Sequence, residues 1–152
     1  MYNLADLTRM AGIKRRTVQL WAEGGVLIAE PASERQGSGV HRTFSRNEAI
    51  VCLILSRFAQ WNLPIGQLIR IALVLRAEVL GKAETCDHIE RAIRGEATVR
   101  LTLDSDNRIW LIIGTEADEL AEPLRGLGPN NETLIVVCLD RALTALRGEA
   151  RV

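Results

Sequence analysis

Glycine residues near the start of the chain keep its first two helices short. The three glycines concerned are Gly12, Gly24 and Gly25. Asn3 can cap a first helix that runs to about Met10, and Gly12 can take the positive φ of a tight turn. A second helix is predicted from about Arg15 to Glu23, with Val18 and Trp21 spaced three residues apart on its inner face. Two short helices joined by a glycine turn indicate a helix-turn-helix.

The segment after the second helix, residues 28–43, is polar and rich in turn-forming residues. Gln36-Gly37-Ser38-Gly39 is a turn signal, and residues 40–44 can form a short strand. This pattern predicts a β-hairpin wing.

Two further helices complete the predicted N-terminal half. Ser45 can cap the third helix, and Glu48 stands at the position that would complete a capping box. Pro64 suits the first turn of the fourth helix, which Gly81 should end. We therefore predict a mainly α-helical domain, a winged helix-turn-helix, over residues 1–80.

Residues 81–152 change from helical periodicity to the alternation of strands. The predicted elements are helix 82–94, strands 98–103 and 109–113, helix 116–122, strand 133–138 and helix 140–147. We expect them to form a small α+β region in which the three strands share a sheet. A region of this size favours subunit pairing or protein binding over enclosure of a ligand.

The formal net charge of zero hides an asymmetry between the two halves. Residues 1–76 carry ten Lys and Arg against five Asp and Glu, so this part has a charge of +5. The remaining residues carry nine bases and fourteen acids, a charge of −5. A basic half beside an acidic half indicates that only the first half meets a polyanion.

Several protein classes are disfavoured by what the sequence lacks. It has no apolar run near the roughly 18 residues that a membrane helix needs, and its first residues lack the basic start and apolar stretch of a signal peptide. We therefore expect a cytoplasmic protein that does not contact a membrane. Because no nucleophile elbow, phosphate-binding glycine loop or metal pair is present, we expect neither an enzyme nor a bound cofactor or metal.

The three cysteines are odd in number and far apart, which argues against a disulfide framework. Cys52 and Cys138 stand in apolar runs, where cysteine packs as a small hydrophobe. Redox or metal sensing by Cys52, Cys86 and Cys138 is the alternative. His88, beside Asp87, is interpreted as part of an exposed polar pair on a helix.

The N-terminal half resembles the MerR family of bacterial regulators over about residues 2–75. The segments that carry the resemblance follow one another in the family's order. They are Leu4–Leu7, Ala11–Ile13, Thr17–Trp21, Gly25–Leu27, His41–Ser45 and Asn62–Leu68. The chain departs from the family at Gln19 and Leu20, where an arginine and an aromatic residue are usual. Gly81 and Gly95 also interrupt the region where family members commonly have a long dimerisation helix.

The resemblance implies that the second helix enters the major groove of DNA with its N-terminal residues nearest the bases. The candidate DNA contacts are Lys14, Arg15, Arg16, Thr17, Gln19 and Trp21 around the second helix, Arg35, His41 and Arg42 in the wing, and Arg46 at the start of the third helix. Each has an alternative interpretation without DNA. The basic run can be a solvated helix start, Trp21 can belong to the core, and His41 can have a surface or packing role.

These observations lead us to expect a sequence-specific transcriptional regulator that binds double-stranded DNA and is associated with the nucleoid. Because one short recognition helix has a short footprint, we expect a homodimer on a palindromic operator. RNA polymerase or another protein is a possible further partner. One alternative is an excisionase-like DNA-architectural factor of a phage or mobile element, which would bind tandem direct repeats. The other is a protein-interaction module without DNA binding.

Overall fold

The computed structural model describes residues 1–34, 42–104, 109–114 and 134–147. The chain divides into two compact units, Met1–Leu80 and Gly81–Val152. Within the described residues the first unit is mainly helical, and the second combines helices with a three-stranded sheet.

The first unit opens with strand β1 (Tyr2–Asn3), helix α1 (Leu4–Ala11) and helix α2 (Arg15–Glu23), in agreement with the two predicted helices. The Asn3 side chain accepts hydrogen bonds from the backbone N–H groups of Ala5 and Asp6, at 2.8 and 3.0 Å. The Asp6 carboxylate accepts from the Asn3 N–H at 3.0 Å, which completes a capping box. Gly12 turns the chain between the helices with φ of 65°, as predicted.

The segment predicted as a hairpin wing contains a helical turn. Residues Pro31–Glu34 form the short helix α3, so the hairpin prediction is wrong for them. Proline is preorganised for a first helical turn, and the Ser33 hydroxyl donates to the Glu30 carbonyl at 2.7 Å. The same hydroxyl accepts from the Thr43 N–H at 3.1 Å, a link between α3 and the strand that follows. Residues 35–41 lie outside the described residues.

Strand β2 (Thr43–Phe44) falls within the predicted strand, but its partner in the structure is β1. The two strands are antiparallel, with Tyr2 opposite Phe44 and Asn3 opposite Thr43. This pairing joins the start of α1 to the chain that enters helix α4 (Arg46–Ser56).

Helix α4 is the centre of the first unit, since every residue from Glu48 to Ser56 is buried. The Ser45 hydroxyl accepts from the Glu48 N–H at 3.2 Å, so the predicted cap is confirmed. The predicted capping box is not completed, because the Glu48 carboxylate turns to Arg76 and the Ile28 N–H instead.

Helix α5 (Ile65–Val74) follows Pro64 as predicted and continues as a π-helix over Leu75–Leu80. Leu68, Ile71, Ala72 and Leu75 are buried on its inner side. Arg76 donates two hydrogen bonds to the Glu48 carboxylate, at 2.6 and 2.8 Å, and one to the Val26 carbonyl at 2.7 Å. The Glu48 carboxylate also accepts from the Ile28 N–H at 2.9 Å. We call these four hydrogen bonds the Glu48–Arg76 network.

The second unit confirms the predicted change from helix to strands. Helix α6 (Ala83–Arg94) ends at Gly95, which has φ of 79°. Strands β3 (Thr98–Asp104), β4 (Ile109–Gly114) and β5 (Leu134–Cys138) share one sheet, as expected. The sheet is antiparallel, and its strand order is β4-β3-β5. Helix α7 (Asp140–Leu143) and a 3-10 turn (Thr144–Leu146) follow. The helix predicted over 116–122 lies outside the described residues.

Asp140 joins the sheet to α7. Its carboxylate accepts from the Val99 N–H at 2.9 Å and from the Arg100 guanidinium at 2.8 Å. Burial alone would raise the pKa of this carboxyl, but the hydrogen bonds from Val99, Cys138 and Arg100 hold its pKa below the ordinary value.

Among the helices of the described residues, none has the length and apolar character needed to cross a bilayer.

Replacement of Arg76 by alanine should destabilise the first unit strongly. The change would leave the Glu48 carboxylate buried without its cation, which typically costs roughly 3–5 kcal/mol of unfolding free energy. Urea unfolding followed by circular dichroism measures the effect. The control is Arg94→Ala, which removes an exposed ion pair to Glu96 (2.8 Å) and should leave the midpoint nearly unchanged. Equal midpoints for the two variants would contradict a structural role for the network.

Candidate nucleic-acid interface

The N-terminus of α2 carries positive charge with nothing nearby on the helix to offset it. Lys14 occupies the N-cap position without a side-chain capping bond, and the first turn contains no acidic residue. Lys14, Arg15 and Arg16 are all exposed. Because the N-terminal end of a helix dipole is already positive, cations there reduce helix stability unless an anion binds. The arrangement therefore favours an anionic ligand at this end of α2.

The three cations are available for such a ligand. Within the part of the chain that the structure describes, Lys14, Arg15 and Arg16 make no side-chain hydrogen bond or ion pair. Arg9 on α1 differs, since it lies 3.5 Å from the Asp6 carboxylate. The charge at the start of α2 is consequently not neutralised by the fold around it.

The other candidates on α2 are less accessible. Thr17 is half-buried, and the Gln19 amide donates to the Glu23 carboxylate at 2.7 Å. Gln19 would have to leave Glu23 before its amide could meet a base. Trp21 is only 4% exposed, which assigns it to the core and corrects its inclusion among the DNA contacts.

The region of the predicted wing contributes two described candidates. Arg42 precedes β2 and is half-buried, and Arg46 begins α4 with a half-buried side chain that already has an interaction partner. Arg35 and His41 lie outside the described residues.

The starts of α1, α2 and β2 lie close together. Asn3 and Arg15 line one open cavity of about 220 Å³, with Leu4 and Ala5. Asn3 also pairs with Thr43, the neighbour of Arg42 in the chain. The fold therefore brings the segment that carries Arg42 to the same side of the unit as the basic start of α2.

Sequence reasoning missed several residues beside the helix-turn-helix. Leu20, which was not among the candidate contacts, is 42% exposed and stands four residues after Arg16. Arg57 and Gln60 line a second cavity, of about 270 Å³, beside the turn at Gly12. The Arg57 Nε atom is buried and has no hydrogen-bond partner among the described residues. Its spacing of four residues from Arg16 was the one sequence signal that could have placed Leu20 beside the basic cluster. No sequence signal pointed to Arg57.

The cysteines differ in environment, and the prediction for one of them is wrong. Cys52 is fully buried in α4, as expected, and burial together with Glu48 raises the pKa of its thiol to about 12. Cys138 is exposed, because it follows the buried Val137 in the alternation of β5. The Cys138 thiol donates to the Asp140 carboxylate at 3.2 Å. In the described ranges, no group of three potential metal ligands occurs.

His88 also departs from its interpretation as an exposed residue. Its side chain is half-buried, and its Nδ1 atom is buried without a hydrogen-bond partner in the described part of the chain.

Comparison with protein-family models and with curated proteins finds no match to this chain. The resemblance to the MerR family thus rests on the order and spacing of its residues.

The thiols should react with maleimide in the order of their exposure. At pH 8 we expect rapid modification of Cys138 and none of Cys52, since a thiol with a pKa near 12 is almost wholly protonated there. Peptide mapping by mass spectrometry distinguishes the sites, and denaturation in urea should make Cys52 reactive. Modification of Cys52 in the folded protein at the rate of Cys138 would contradict its placement in the core.

Proposed function

We propose that this protein is a sequence-specific DNA-binding transcriptional regulator with α2 as its recognition helix. The observation that carries the proposal is the exposed, unpaired cluster of Lys14, Arg15 and Arg16 at a helix N-terminus that lacks a cap and an acid. A polyanion is the ligand that this combination suits best.

The residues of α2 suggest how the contacts divide. Lys14 and Arg15 stand at the helix start, where a cation and backbone N–H groups can bind a phosphate. Arg16 is the candidate for base recognition, because arginine can donate two hydrogen bonds to a guanine edge. Leu20 lies one turn further on the same side, where an apolar side chain can contact a thymine methyl group.

The chain before β2 would provide a second contact. Arg42 can bind the DNA backbone or a narrow minor groove, which favours arginine. The cavity between Asn3 and Arg15 offers an amide and a guanidinium to one phosphate. The Glu48–Arg76 network would fix the position of α2 and its basic residues, because it anchors the backbone at Val26 and Ile28 just after α2.

The resemblance to the MerR family adds the finer parts of the proposal. It supports a bacterial transcriptional regulator that is associated with the nucleoid. A palindromic operator bound by a homodimer follows from the short footprint of one helix.

Arg16→Ala and Arg42→Ala should each weaken DNA binding while leaving the fold intact. Loss of a base contact at Arg16 should cost about 1–3 kcal/mol of binding free energy. Loss of a phosphate contact should flatten the dependence of affinity on salt by about one unit of slope. Fluorescence anisotropy with a duplex at several salt concentrations measures both effects, and circular dichroism checks folding.

The control for these variants is Arg94→Ala, which removes an exposed arginine of α6 and should not change the affinity. Binding by Arg16→Ala equal to that of the wild type would contradict the assignment of α2.

The operator can be found by selection of fragmented genomic DNA on the purified protein at near-physiological salt. An enriched inverted repeat in a promoter would support the regulator. Enriched direct repeats would favour the excisionase-like alternative. Failure to bind any DNA, even at low salt, would overturn the proposal.

A further inference from the structure

The cavity beside the turn at Gly12 has the features of a binding site that the proposed DNA contacts do not use. It lies where the end of α1 meets the end of α4 and the 3-10 turn Ala59–Trp61. None of the residues that line it is a candidate DNA contact. Its volume of about 270 Å³ is just below the range of roughly 300–1,000 Å³ for sites that hold drug-sized ligands, so its occupant should be a small molecule. We call it the Arg57 cavity.

The Arg57 guanidinium supplies the charge of this cavity. Arg57 is half-buried, and within the described ranges its side chain makes no hydrogen bond or ion pair. A guanidinium carries five N–H donors, and burial without acceptors is costly. Two other half-buried arginines, Arg76 and Arg100, each bind a carboxylate of the chain at 2.6 and 2.8 Å. An oxyanion is therefore the ligand that Arg57 lacks.

The polar neighbours of Arg57 favour an acceptor from outside the chain. The Gln60 side chain is exposed and has no hydrogen-bond partner in the described part of the chain, so its amide can donate beside the guanidinium. The Ser56 hydroxyl already donates to the Leu53 carbonyl at 2.7 Å. No acidic residue lines the cavity to compete for the donors. A guanidinium is planar and matches a planar carboxylate through two parallel hydrogen bonds.

The rest of the lining is mostly apolar. Ala11, Ile13 and Ala59 contribute hydrocarbon surface, and a Cβ atom placed on Gly12 would meet nothing within 4 Å, which shows open space beside the turn. An inorganic ion or a DNA phosphate has no hydrocarbon to place against these residues. An organic acid with a short alkyl chain has one, and its burial there is favourable.

We propose that the Arg57 cavity binds a small organic carboxylate. The carboxylate accepts hydrogen bonds from the Arg57 guanidinium and the Gln60 amide, and the alkyl chain packs against Ile13 and Ala59. The proposal does not depend on DNA binding, because none of these residues is a candidate DNA contact.

The first test is a titration of the ¹⁵N-labelled full chain with butyrate at constant ionic strength, followed by NMR. The Gly12 backbone N–H and the Arg57 Nε–H should shift and saturate at millimolar butyrate. Butan-1-ol, which has the same chain length without the charge, should not shift them at these concentrations. Butyrate shifts that stay linear up to about 100 mM would overturn the proposal, since they would correspond to no formed site.

Variants test which groups hold the carboxylate. Arg57→Gln should raise the dissociation constant of butyrate by about tenfold or more, because it removes charged hydrogen-bond donors. Gln60→Ala changes an exposed residue and should raise it severalfold without an effect on folding. The matched control is Arg70→Gln, which removes an exposed arginine of α5 and should bind as the wild type does. Equal weakening by Arg70→Gln and Arg57→Gln, or no weakening by Gln60→Ala when Arg57→Gln fails to fold, would contradict the assignment.

Inorganic phosphate and a DNA duplex distinguish the carboxylate from a phosphate ligand. Phosphate should bind the cavity more weakly than butyrate, and Arg57→Gln should leave the dependence of duplex affinity on salt unchanged. Tighter binding of phosphate, together with a slope that Arg57→Gln flattens by about one unit, would make the cavity a backbone contact and the proposal wrong. That result would leave the DNA-binding proposal standing, whereas a chain that binds butyrate but no DNA would overturn the DNA-binding proposal alone.

Discussion

The pairing of Glu48 with Arg76 is the interaction on which the first unit depends. It brings together the chain after α2, the start of α4 and the π-helix that continues α5, which are distant in sequence. Glu48 is 7% exposed, and a buried carboxylate is tolerated only where a cation and hydrogen-bond donors surround it. Arg76 and the Ile28 N–H supply both. The Val26–Ile28 backbone, which leaves the candidate recognition helix, is thereby fixed to the most deeply buried helix of the unit.

Local signals in the sequence were sufficient for the helices, but not for the contacts between them. Asn3, Ser45 and Gly12 act within a few residues of their own positions, so their effects could be predicted. Glu48 could not be assigned in the same way. At the third position of a helix it fits a capping box, and only the tertiary structure shows that Arg76, 28 residues further along the chain, binds it instead. Pro31–Glu34 departs from the predicted hairpin wing for a related reason, since Ser33 gains its partner Thr43 only in the folded chain.

In the candidate site, too, residue types predicted the charge, whereas packing decides which side chains are exposed. The sequence identified the cations at the start of α2, because residue type and position alone determine their charge. It did not separate Trp21 from Leu20, which are adjacent and both apolar. Trp21 lies three residues from Val18 and is buried, whereas Leu20 points outward at 42% exposure. Which side of a short helix faces the core is decided by the helices that pack against it.

The start of α2 differs from the starts of the other long helices in a way that stability does not explain. Among the described helices of eight residues or more, α1 and α4 have side-chain caps, and α6 has Glu84 in its first turn. Helix α5 has neither a side-chain cap nor an acid in its first turn, but it begins without cations. Only α2, in that set, combines an uncapped start with three exposed bases. A serine or aspartate at position 14 would stabilise the helix by about 1 kcal/mol, but an acid there would also repel a phosphate. Lysine at position 14, the less stabilising residue, is the one expected where a polyanion supplies the missing negative charge.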